Sequence, residues 1–122
     1  MKKYILLLIT ITLLISCEKQ SSRPTTETPL YLGTYFNTFG DTLFVTEGEG
    51  IYTQFQLSPK NEPTHRILFD SVKVNTDNTF TDNEQVELFG KYQSLGTGNF
   101  GTNTIYFNFN IGGGTLIYNG VK

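Results

Sequence analysis

Thr104-Ile105-Tyr106-Phe107-Asn108-Phe109-Asn110-Ile111 is the stretch on which the fold turns. Ile105, Phe107, Phe109 and Ile111 share one parity; Thr104, Tyr106, Asn108 and Asn110 share the other. Successive side chains of a β-strand point to opposite faces, so this pattern describes a strand with one dry and one wet side. No segment after Ile15 carries the 3.6-residue apolar period of a helix.

Working outward, Ile51, Phe55 and Leu57 alternate with Tyr52, Gln54 and Gln56. Val86 and Leu88 share a parity within Gln85 to Tyr92. Between Arg66 and Val74 the parity flips, from Ile67 and Phe69 to Val72 and Val74, which predicts a bulge or bend near Asp70-Ser71. Leu30 to Phe36, Thr42 to Thr46 and Thr115 to Tyr118 complete the set. Turn residues separate them at Phe39 to Asp41, Glu47 to Gly50, Ser58 to Pro63, Asn75 to Asn78, Gly96 to Asn103 and Gly112 to Gly114. The expectation is an all-β, antiparallel domain: a small barrel or sandwich of about seven to eight short strands. A helical signal segment and a disordered tether are expected to precede it.

Three parts are expected along the chain. Residues 1–16 form a signal segment, with a basic start at Lys2 and Lys3 and an apolar run from Tyr4 to Ile15. That run is too short to cross a bilayer, which takes about 20 residues. Residues 17–29 follow, and Glu18 to Pro29 has no large apolar side chain with which to offset its ordering entropy. As a flexible tether its twelve residues reach ~19 Å. Residues 30–122 form the β-domain. Without residues 1–16 the chain keeps seven basic and eleven acidic side chains, a net charge of about −4. No basic run is present, which argues against nucleic acid as a partner. The single cysteine excludes an internal disulfide, so the domain depends on packing, chiefly of its ten Phe and six Tyr.

Catalytic and metal chemistry finds little support. Gly96-Thr97-Gly98-Asn99-Phe100-Gly101 has the spacing of a dinucleotide fingerprint, but a strand rather than a helix follows it, so the glycines are expected to supply positive φ in a hairpin. Asp77, Asp82 and Glu84 are hard oxygen donors that read as part of a solvated Asx-rich loop. Glu47 and Glu49 read as a polar hairpin tip rather than an acid–base pair. His65 is the only histidine and has no nucleophile motif beside it. No catalytic residue, metal ligand or cofactor is assigned, and the expectation is a non-enzyme. Exposed aromatics are the stronger hint: Tyr106 and Asn108 on the polar face, and Tyr52 beside Gln54 and Gln56, suit a sugar or peptide edge.

Leu14-Ile15-Ser16-Cys17 resembles the lipobox of bacterial lipoproteins. The resemblance implies cleavage between Ser16 and Cys17 and palmitate-type acylation of Cys17. It further implies anchoring in the cell envelope, with Glu18 favouring the outer membrane, on its periplasmic or surface face. Gly33-Thr34-Tyr35, Val72 to Phe80 and Leu95 to Phe107 resemble small β-rich lipoproteins of Gram-negative bacteria that carry a G-x-G-x-F/I-x-x-N-T-apolar stretch. Gly33-Thr34-Tyr35 is also similar to the Gly-x-Trp of lipocalins. Three functions fit these features. The leading one is a membrane-anchored envelope lipoprotein acting through surface or protein contacts. The others are a lipocalin-like domain for a small apolar or glycan ligand, and a periplasmic hydrolase inhibitor, although the Ser-Gly-x-x-Tyr loop of lysozyme-inhibiting lipoproteins is absent.

Overall fold

The computed structural model describes residues 29–122. The signal segment, Ser16, Cys17 and all of the tether except Pro29 lie outside the described residues. Period-two alternation becomes eight strands: β1 (Gly33–Phe36), β2 (Thr42–Glu47), β3 (Thr53–Ser58), β4 (Ile67–Val74), β5 (Thr79–Glu87), β6 (Lys91–Phe100), β7 (Thr104–Ile111) and β8 (Gly114–Val121). Each pairs antiparallel with the next, and β8 returns to β1, giving a closed up-and-down barrel. There is no helix among the described residues.

Inward positions are filled with rings. Phe55, Phe69, Phe80, Phe107 and Phe109 are completely buried. Phe107 stacks on Phe109 at 4.4 Å and on Tyr118 at 5.4 Å, while Phe55 meets Phe80 edge-on at 5.0 Å and Phe69 meets Phe109 at 5.2 Å. Burying each such ring stabilises the fold by about 1.5–3 kcal/mol. Tyr31 stacks on Phe100 at 4.8 Å and closes the end where the chain enters. The lumen is therefore a packed core.

The parity flip in β4 is a bulge. Thr53 pairs with Val72 and Phe55 with Phe69, so two steps on β3 face three on β4 and the extra residue falls at Asp70-Ser71. Two expectations need correction. Gly96 to Asn103 is not one turn: β6 runs through Gly96 and Gly98 to Phe100. Neither glycine has positive φ. A Cβ at Gly98 would overlap the Phe80 ring and the Tyr106 carbonyl, and one at Gly96 would overlap Phe109 and the Asn108 carbonyl. These glycines let the core rings lie directly against the β6 backbone. Gln85 to Tyr92 is likewise not a single strand. β5 ends at Glu87 and the chain reverses over Leu88-Phe89-Gly90, with Phe89 at φ 54°.

Candidate functional site

Four strands combine to give an outer face without charge. The register sets Thr79, Asn99, Tyr106 and Asn119 in one row across β5–β8. Thr81, Thr97, Asn108 and Ile117 form the next, and Asn83, Leu95, Asn110 and Thr115 the third. All twelve side chains are exposed. They are Thr, Asn, Tyr, Leu and Ile; Lys, Arg, Asp and Glu are confined to other parts of the barrel. β-branched and aromatic residues suit the pleated surface, and asparagine supplies an amide donor and acceptor at the same spacing.

A shallow groove of about 510 Å³ crosses this face between Thr81, Asn99, Tyr106 and Asn108, with Gly98 and Phe80 at its floor. The structure therefore brings Tyr106 and Asn108 together. The Tyr106 ring is 43% exposed, enough to offer a stacking surface. Tyr52 is elsewhere. It lines a second groove at the β2–β3 turn with Glu47, Glu49, Gln54 and Asp70, so that patch is acidic where the first is neutral.

Sequence reasoning missed a buried polar cluster. Asp82 and Glu84 do not belong to a solvated loop; they lie on β5 in the inward parity of Phe80 and Val86. Asp82 is 1% exposed and its Oδ2 accepts from the Ser94 hydroxyl on β6. Glu84 receives the N–H groups of Asp70 and Ser71 on its two oxygens, both at 2.9 Å. The ladder between β4 and β5 covers only Lys73 and Val74, so this carboxylate takes the backbone donors that the bulge leaves free. Asp82 Oδ1 is buried without a hydrogen-bond partner among the described residues, with Glu84 next along the same face of β5. Burial, then the hydrogen bond that the protonated Glu84 gives to Asp82, pushes Glu84 up to about 8, and burial raises Asp82 as well. The equal parity of Phe80, Asp82, Glu84 and Val86 was the sequence signal for this cluster.

The remaining candidates stay apart. Asp77 caps the β4–β5 turn, accepting from Thr79 N at 3.0 Å and from its hydroxyl at 2.6 Å. His65 sits in the β3–β4 loop, 3.3 Å from Glu62 and 4.9 Å from the Phe89 ring. Among the described residues no three His, Cys, Asp or Glu side chains converge as a metal site. No protein-family model matches the chain, and no curated protein or solved structure matches it.

Proposed function

We propose that this protein is a lipid-anchored envelope lipoprotein, held to the membrane through Cys17, whose barrel binds a partner on its outside. The observation that carries this reading is the neutral Tyr106–Asn108 face on a barrel whose interior is already occupied by its own rings. A wall without charge neither steers nor repels ions, and it desolvates at lower cost than a charged one. The lipobox resemblance at Leu14 to Cys17 supports the anchor, and two or more acyl chains give stable membrane attachment. No covalent step is assigned to the barrel, and the Asp82–Glu84 pair serves its architecture.

A photo-crosslinking residue in place of Tyr106, in cells, should yield a discrete envelope adduct. The same residue in place of Lys73 should not. Equal labelling from both positions contradicts the reading. Cys17→Ala should move the protein out of the membrane fraction and leave the β-domain folded.

A neutral glycan is the second reading, favoured by the exposed Tyr106 ring with Asn99 and Asn119 beside it in the same row. Such a ligand stacks on the ring and bonds to the amides. Titration with neutral oligosaccharides should then shift the Tyr106 and Asn108 resonances and spare Tyr52; shifts confined to Tyr52 would reject it.

A further inference from the structure

The barrel is closed by a seam that holds far less than its other contacts. β8 pairs with β7 along its whole length, but it meets β1 at one position, Phe36 with Val121. The β7–β8 hairpin turns over Gly112-Gly113, so Ile111 and Gly114 form its closing pair, followed by Phe109 with Leu116, Phe107 with Tyr118 and Ile105 with Gly120. In an antiparallel ladder closed by a two-residue loop these pairs exchange the backbone hydrogen bonds. The N–H and C=O groups of Thr115, Ile117 and Asn119 therefore point away from β7, toward the seam. β1 is too short to meet them. No backbone or side-chain partner for them is found among the described residues.

Natural sheets protect such an edge with Lys, Pro, inward charges or a covering segment. The β1 side of the seam has this protection: the Lys122 side chain crosses Gly33, its ammonium donates to the Leu30 carbonyl, and it lies 5.4 Å above the Tyr35 ring. Among the described residues the β8 side has none. Its sequence, Gly-Thr-Leu-Ile-Tyr-Asn-Gly-Val, contains no charge and no proline, and Ile117 is 59% exposed.

We infer that β8 pairs edge to edge with β8 of a second copy of this chain, antiparallel about Ile117. Three free residues centred on Ile117 are self-complementary under a two-fold axis. Thr115 faces Asn119 of the partner subunit, Ile117 faces the partner's Ile117, and each pair exchanges both backbone bonds. A neutral strand meets its own copy without like-charge repulsion. Pairing also joins the two uncharged β5–β8 faces into one continuous sheet. This inference goes beyond the proposed function and depends neither on the anchor nor on the partner at Tyr106.

The test uses the full chain with Cys17→Ser, which removes its only other thiol. Directly opposed strand residues have Cα atoms within disulfide range. Ile117→Cys should thus oxidise to a covalent dimer at least about tenfold faster than Thr97→Cys, which is also exposed but two strands from the edge. Thr115→Cys and Asn119→Cys should crosslink when mixed and not when alone. In sedimentation, Ile117→Lys should weaken self-association of the otherwise unchanged chain, which separates strand pairing from association through residues 1–28. Equal oxidation at 117 and 97, self-crosslinking of Thr115→Cys alone, or unchanged sedimentation of Ile117→Lys each overturns the inference. So does a wild-type chain that remains monomeric at millimolar concentration, whatever else then occupies the edge.

Discussion

The hydroxyl of Tyr118 on β8 donates to the main-chain carbonyl of Tyr35 on β1, at 2.9 Å. The same hydroxyl reaches the Asp41 carbonyl at 3.2 Å. One buried side chain thus bridges, from inside, a seam that the ladder spans with a single residue pair. Tyr118→Phe keeps the ring stacked on Phe107 and removes the buried hydroxyl from the Tyr35 carbonyl, while the Asp41 carbonyl keeps the Asn37 N–H. A loss of about 1–3 kcal/mol is expected, or roughly 4–8 °C in melting temperature per kcal/mol for a domain this size. Faster amide exchange at Phe36 and Val121, with β5 and β6 unaffected, would locate the damage at the seam.

Alkaline stability depends on the same residue. Burial, then the nearby Asp41, pushes the Tyr118 hydroxyl up to about 12, above its ordinary value near 10. A raised acid retains its proton in the fold after the unfolded chain has lost it. Its contribution is therefore complete below pH ~10 and lost as pH rises toward 12. The wild-type chain should show a denaturation limb in that range, measured by circular dichroism, and Tyr118→Phe should remove part of it.

The Asp82–Glu84 pair imposes a second pH dependence, at lower pH. Glu84 sits at about 8 in the fold, against an ordinary value of 4.5. Stability should be greatest below pH ~4.5 with respect to this group and decline as pH rises to about 8, by roughly 1–2 kcal/mol once solvent access to Glu84 is allowed for. Asp82→Asn supplies an amide N–H to Glu84 and keeps an oxygen for Ser94. It should flatten the melting temperature between pH 5 and 9 and raise stability at the upper end. An unchanged slope would show that Asp82 does not hold the Glu84 proton in place.

Gly98 and Phe80 should behave as one unit. Gly98→Ala forces a methyl into the Phe80 ring and the Tyr106 carbonyl, and a cost of about 1–3 kcal/mol or more is expected. Phe80→Leu in the same chain should recover part of that loss, giving a double-mutant coupling above ~0.5 kcal/mol. Additive losses would contradict the close approach.

Phe89 has positive φ at the tip of the β5–β6 hairpin with 77% of its surface exposed. A bulky side chain in that region costs of order 1–3 kcal/mol, while asparagine tolerates it. Phe89→Asn should therefore raise the unfolding midpoint, offset in part by the lost contact with His65.

Much of the barrel was legible because its signal is local. Ile105, Phe107 and Phe109 are buried on one parity, and the flip between Phe69 and Val72 marked the bulge. Misreadings arose where a residue type had a second physical use. Gly96 and Gly98 look like turn residues, yet they make room for rings that arrive from β5 and β7. Leu88-Phe89-Gly90 looks like strand, yet it reverses the chain at the expense of a strained Phe. Barrel closure left no local signal, since it rests on Phe36, Val121 and the hydroxyl of Tyr118. The neutral face was visible on β7 alone; its width depends on the register of β5, β6 and β8.

The barrel is filled by its own aromatic rings, which is why the proposed binding is placed on its outside. A titration of the wild-type chain and of Phe107→Ala with a small apolar ligand such as benzene, read from the methyl resonances of Leu43, Val45 and Ile105, decides whether the lumen has room. Removal of a buried Phe should cost about 3–5 kcal/mol and open a dry cavity that the ligand enters. Methyl signals should shift in Phe107→Ala and stay in place in the wild type; saturable shifts of the same methyls in the wild type would mean that the lumen is not filled.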